Sequence, residues 1–280
     1  MSYAVEISRT NPSCFLFVID QSASMADPFG VSERAGRSKA QELADAINKL
    51  LQTLVTRCAK GEEIREYFEV GVIGYGHTIG PALKGSLAGR ELVSISEIAF
   101  NPVRLEDRAR KVSDGAGGLV EQNFQMPIWF DPVSNDGTPM CEALRRARTV
   151  LDSWSATHAM SYPPTLVHIT DGESTDGDPS EIAREIKSLS TQDGPICFFN
   201  LHLSSTQAKP IVFPDSSADL PDQFARLLFE MSSPLPPPVR MAAQSEGYKI
   251  TEGTRGFGFN ADLVETIRFL DIGTRVSGLR

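Results

Sequence analysis

The chain has 280 residues, 41% of them hydrophobic and 22% charged, with a formal net charge of −9. That composition suits a globular protein with a sizeable core, and the acidic balance argues against a binder of nucleic-acid phosphates, which would present a basic face. No run approaches the roughly 18 apolar residues of a membrane span, and no basic segment followed by a long apolar stretch opens the chain, so neither a span nor a signal peptide is expected.

The first predicted element is a strand over 14–19, "CFLFVI", a continuous apolar run of the kind that is covered on both faces. A helix follows over about 38–58, where Leu43, Ala46, Ile47, Leu50, Leu51, Leu54 and Val55 recur at helical spacing and Gly61 ends the pattern. "YFEVGVIGYG" (67–76) reads as a second strand. A helix over 138–154 carries Met140, Leu144, Ala147, Leu151 and Trp154 on one side, with Pro139 in its first turn. "TLVHITDG" (165–172) is a strand ending in an acid, 178–189 a helix capped by Asp178, and 196–203 a further strand. Helical patterns at 222–231 and 260–272 close the chain, with the proline-rich 232–238 as a spacer between them.

Strand and helix in alternation predict an α/β fold with a doubly wound, mostly parallel central sheet and helices on both faces. Ligands of such folds collect at the carboxyl ends of the strands, where Asp20 and Asp171 both stand. The segment 77–134 breaks the rhythm and is too long for a plain connection; it reads as part strand, part elaborated loop or small helix. The basic cluster at 144–150 reads as a solvated helix face. Cys14, Cys58, Cys141 and Cys197 show no C-x-x-C spacing and read as free buried thiols of a reducing compartment. The expected location is therefore cytoplasmic.

Three short pieces carry small oxygen-bearing side chains beside these elements: Asp20, Ser22 and Ser24 after the first strand, Thr138 before a helix, and Asp171 after the 165–170 run. Hydroxyl and carboxylate oxygens are the ligands of a hard divalent cation. Alternate spacing in an extended turn lets Asp20, Ser22 and Ser24 direct their oxygens to one point. Asp and Ser after a strand also serve as turn formers and N-caps, and Thr138 before Pro139 reads equally as a cap. The acidic run 171–178 lacks EF-hand spacing and reads as a solvated loop. His77, His158, His168 and His202 show no ligand spacing, and neither "GAGG" nor "RGFGFN" makes a full nucleotide cradle.

Asp20-Gln21-Ser22-Ala23-Ser24, Thr138 and Asp171 together resemble the von Willebrand factor type A family and its metal-ion-dependent adhesion site. Many members have glycine where this chain has Ala23, a departure that leaves less backbone freedom but removes no ligand. The resemblance implies one domain over 12–280, with an insert at 80–134 and a C-terminal helical extension at 221–280. It implies that Ser22, Ser24 and Thr138 coordinate Mg²⁺ (Mn²⁺ or Ca²⁺ as alternatives) through hydroxyls, Thr138 either always or only with ligand bound. Asp20 and Asp171 would act directly or through water. A partner protein's Asp or Glu would fill the open position.

The resemblance is narrower still to stand-alone bacterial members similar to the tellurite-resistance class. It implies a non-catalytic signalling or stress-response adaptor working with a protein kinase and a PP2C-like phosphatase. A second reading is a subunit of an AAA+ assembly of the MoxR or chelatase type. A third is a phosphohydrolase with Asp20 as nucleophile, but Ser22 stands where such enzymes carry a second Asp, so no enzyme is expected. No G-x-S-x-G elbow supports a serine hydrolase. The 80–134 insert is expected near the cation, shaping partner choice.

Overall fold

Strand and helix alternate as expected, and eight of the strands assemble into one sheet. The structure, a computed structural model, describes residues 2–28, 36–113, 118–204, 208–261 and 263–273. The sheet is built from β1 (Ser13–Asp20), β2 (Phe68–Tyr75), β3 (Ile79–Pro81), β4 (Val93–Ser94), β7 (Thr165–Thr170), β8 (Cys197–His202), β9 (Ile211–Val212) and β10 (Phe257–Phe259). Its order is β9-β10-β8-β7-β1-β2-β3, with β4 pairing β2. The central five strands are parallel, whereas β3, β4 and β9 run antiparallel at the two sides.

Every residue of β1 is buried, which explains its unbroken apolar run. Phe15, Phe17 and Ile19 face one core with α1 (Lys39–Cys58), α2 (Ile95–Phe100), α6 (Pro237–Ser245) and α7 (Leu263–Gly273). Cys14, Leu16 and Val18 face the other, with α3 (Met140–Thr157), α4 (Ser180–Ser188) and α5 (Gln223–Met231). The two-residue period of a strand thus feeds two cores from one segment. Each fully buried Phe or Leu contributes roughly 1.5–3 kcal/mol over its exposed state. The doubly wound α/β architecture is the one expected.

Local chemistry sets the element ends. Ser38 and Gln41 form a capping box at the start of α1, and Asp222 accepts from the Ala225 amide to start α5. Asp178 accepts from the Ser180 amide before α4, as anticipated. The basic cluster on α3 is solvated and paired: Arg145 with Glu142, Arg146 with Glu91, and Arg148 with Glu185. All four cysteines are free and buried. No helix among the described residues is long and apolar enough to cross a membrane.

Two segments add detail to the expectation. The 77–134 stretch is part strand and part small helix, as expected: it holds β3, β4, α2 and a two-stranded ribbon, β5 (Arg104–Ser113) paired antiparallel with β6 (Leu119–Ile128). Within it, 114–117 lie outside the described residues. The ribbon flanks α1, with Arg108 pairing Asp45 and Phe124 and Gln125 near Thr53 and Thr56, whereas β3, beside Tyr75, and the return segment up to Asn135, bonded to Gln21, lie at the strand ends. The 221–280 region is also more than a helical extension: it supplies β10 to the sheet, and α6 starts at Pro237, inside the proposed spacer. Proline is tolerated there because its missing N–H is one that a first helical turn leaves unbonded.

Candidate metal centre

The chain passes from β1 through α1 to β2 on one side, and later returns to lay β7 along the other side of β1. This reversal opens a crevice beyond the carboxyl ends of β1 and β7. Asp20 ends β1 and is 1% exposed. Its Oδ1 accepts from the Ser22 amide at 2.8 Å, and its Oδ2 accepts from the Thr170 hydroxyl at 2.8 Å. Burial pushes the Asp20 carboxyl up; the hydrogen bonds from Ser22 oppose this, and the nearby Asp171 charge adds to it.

From Asp20 the backbone enters a short 3-10 turn (Ala23–Ala26), which the buried Met25 holds against the core. The turn brings the Ser22 and Ser24 hydroxyl oxygens to 3.0 Å, and Ser24 donates to Asp171 Oδ1 at 2.8 Å. Ser24 is exposed, so the cluster opens to solvent on that side. The glycine that follows β2 makes room for this loop: a Cβ on Gly76 would lie 2.8 Å from the Gln21 carbonyl oxygen. The other oxygen of Asp171 is occupied. Lys39 Nζ donates to Asp171 Oδ2 at 2.8 Å, and both side chains are 1% exposed.

Thr138 arrives on the segment that leads into α3, after Gly137 turns at φ +83°. The Asn135 amide donates to the Gln21 carbonyl at 2.6 Å, tying this segment to the D-x-S-x-S loop. The Thr175 amide donates to the Thr138 carbonyl at 3.0 Å, tying it to the loop after β7. The Thr138 hydroxyl is not the cap of α3. Asp176 performs that task from the opposite loop, accepting from the Cys141 and Glu142 amides at 2.9 Å each. Partial burial raises the Asp176 carboxyl, but those amides prevail and hold it below the usual range. With Asp176 capping α3 and Asp178 capping α4, the acidic 171–178 loop needs no second cation to explain it.

Beneath the cluster runs a buried polar chain. The Tyr75 hydroxyl lies 3.5 Å from Asp20 Oδ2 and 2.8 Å from His168 Nε2. His168 Nδ1 lies 2.9 Å from Asn200 Oδ1, and the Asn200 amide donates to Leu228 O and Ser232 Oγ on the α5 side. Burial pushes the His168 ring down to about 4, with the Asn200 contact opposing. His168 and His202 are packed sheet residues, as expected.

The donors in contact are hard oxygens, the carboxylate of Asp171 and the paired serine hydroxyls, with the Asp20 carboxylate behind Ser22; Thr138 stands on the neighbouring loop and is joined to it through its backbone. Among the described residues no group of three His, Cys, Asp or Glu side chains is arranged for a metal. A cation here would rely on hydroxyls and water, a demand that Mg²⁺ meets because it dehydrates reluctantly. The residues therefore fit such an ion. Sequence reasoning missed Thr170, Tyr75, Asp176 and Lys39. Lys39 alone had a local signal: it is a cation in the first turn of a helix, against the macrodipole.

A cavity of about 1020 Å³ begins at Gly76, His77 and Pro139, beside Thr138, and follows α3 to Trp154 and His158. Trp154 stacks on His158 and donates to Glu69 at 2.8 Å, giving the cavity a flat aromatic wall.

No protein-family model matches the chain, and no curated protein sequence matches it. Among solved structures it is similar to a von Willebrand factor type A protein from Catenulispora acidiphila, at 18% identity over 69% of this chain and 33% of that one, with TM-score 0.40. It is similar to proximal thread matrix protein 1 from the mussel byssus, at 12% identity over 95% of this chain and 48% of that one, with TM-score 0.47. A third likeness is to the vWF domain of the type V pili tip protein Mfa5 from Porphyromonas gingivalis, at 15% identity over 61% of this chain and 40% of that one, with TM-score 0.32. The chain spans between a third and a half of the length of these chains. At such identities the likeness concerns the fold alone.

Proposed function

We propose that this chain is a non-catalytic, von Willebrand factor type A-like interaction domain that holds Mg²⁺ at Asp20, Ser22, Ser24, Thr138 and Asp171. Mn²⁺ or Ca²⁺ would be the competing ions. A partner protein would supply an Asp or Glu carboxylate to the ion. The observation that carries the reading is the continuous contact from Ser22 through Ser24 to Asp171, across two strand ends at the reversal of the sheet. When bound, the ion supplies a strong charge attraction for an incoming carboxylate. The chain's own residues do the rest. Ser22 and Ser24 present their oxygens from a short turn, and Thr138 would bring a third hydroxyl from a loop whose backbone is bonded to both neighbours. The cavity beside Thr138 would add apolar contact for the partner.

The phosphohydrolase reading fares worse. Ser22 stands two positions after Asp20 where such enzymes carry a second Asp, so no general acid is present there. Free, buried cysteines support a reducing, cytoplasmic setting. The choice between an adaptor beside a kinase and a PP2C-like phosphatase and a subunit of an AAA+ assembly rests on the resemblance of the motif to its family. The test is calorimetric titration with Mg²⁺. Wild-type protein should bind one ion, and Ser22→Ala with Ser24→Ala should abolish the heat while leaving far-UV circular dichroism unchanged. Equal affinity in the double variant refutes the site.

A further inference from the structure

Lys39 is placed against two local preferences. It is a cation at the N-terminal end of α1, where the helix dipole favours an anion, and its side chain is 1% exposed, where an ammonium is costly. The helix positions it firmly: the Lys39 amide donates to the Asp27 carbonyl at 2.9 Å, and Ser38 begins the capping box one residue earlier. What compensates the placement is Asp171 Oδ2, at 2.8 Å. The opposite oxygen, Oδ1, is the one that meets Ser24. Lys39 and the proposed ion thus approach the same carboxylate from its two sides.

The charges follow directly. Asp20 and Asp171 against Lys39 leave the cluster with a single net negative charge, where the two carboxylates alone would offer two. A divalent ion bound at Ser22 and Ser24 would face a fixed ammonium across one carboxylate, in a region of low dielectric where such repulsion is poorly screened. The complex would retain one net positive charge, and an incoming carboxylate removes it. We infer that Lys39 is a built-in counter-cation that weakens Mg²⁺ binding on its own and couples it to the arrival of an acidic partner group. This rests on the proposed Mg²⁺ site and adds to it a reason for the ion and partner to bind together. Lys39 acts through Asp171 as a positioning and charge-setting residue.

The experiment uses the full chain and Mg²⁺ alone, titrated calorimetrically at constant ionic strength. Lys39→Met and Lys39→Gln remove the charge, Met keeping the bulk and Gln keeping a donor for Asp171; Lys39→Arg keeps the charge. Both neutral variants should bind Mg²⁺ at least tenfold more tightly than wild type, and Lys39→Arg should stay within threefold of it. A second readout serves a neutral variant too weakly folded for calorimetry: its thermal midpoint should rise more on adding about 10 mM MgCl₂ than that of wild type, because a ligand that binds the folded state more tightly stabilises it more. Measurable wild-type binding with unchanged or weaker affinity in the neutral variants overturns the inference and leaves the Mg²⁺ site standing. Binding that appears only in the neutral variants supports the inference in its strongest form. Failure of every variant to bind overturns both.

Discussion

The Lys39–Asp171 pair offers a stability prediction that needs no metal. Its two side chains are 1% exposed and 2.8 Å apart, and they join α1 to the end of β7. Asp171→Asn keeps the shape but leaves the ammonium without a counter-charge, and Lys39→Met does the converse. Removing one partner of a buried pair costs about 3–5 kcal/mol, because the survivor remains desolvated. The double variant Lys39→Met with Asp171→Asn strands no charge, so it should cost well under the sum, with a coupling of about 2 kcal/mol or more. For a chain of 280 residues, an unfolding entropy of about 2.1 cal/mol/K per residue turns a 4 kcal/mol loss into a midpoint shift of about 7 °C. Urea denaturation followed by far-UV circular dichroism, with chelator present at pH 7, measures all four proteins. Single variants that each cost less than about 1 kcal/mol, or a double variant that equals their sum, would refute the reasoning about burial.

Two further outcomes follow from buried polar groups. His168 is buried, with a ring pushed down to about 4, so between that value and the ordinary 6.5 the unfolded chain binds a proton that the folded one refuses. Its contribution is complete above about pH 6.5 and is lost as the pH falls toward about 4; at pH 5 the loss should be about 2 kcal/mol. Urea midpoints at pH 7 and pH 5 should separate less in His168→Gln than in wild type, and parallel behaviour would refute the assignment. Asn48 is buried in α1, where its Oδ1 accepts from the Trp129 and Phe130 amides and its Nδ2 donates to the Phe130 carbonyl. Asn48→Leu strands two buried amides and should cost about 3 kcal/mol, measured by the same denaturation; a loss below about 1 kcal/mol would mean water replaces the side chain.

Asp20, Ser22 and Ser24 were legible because five consecutive residues at the end of an apolar run carry their own geometry. Asp171 was legible for the same reason at the end of 165–170. Thr138 was identified by type, and the structure adds that its loop is bonded to both neighbours while a different residue caps its helix. The ribbon of β5 and β6 was legible only as part strand, because charged residues are mixed with apolar ones along it and it lies against α1, outside the main sheet. The "RGFGFN" stretch hid a strand of three residues, too short for a period to register.

By itself the amino-acid sequence determined the alternating elements, the doubly wound class and the oxygen-rich pieces at the strand ends. Each of these is written in neighbouring residues, through side-chain periodicity and turn chemistry. Only the tertiary structure decided which charges meet. Lys39 and Asp171 are 132 residues apart in the chain, and Asp176 reaches α3 from 35 residues away. Pairings of that kind depend on where the sheet reverses and how its helices pack, and no local pattern encodes them.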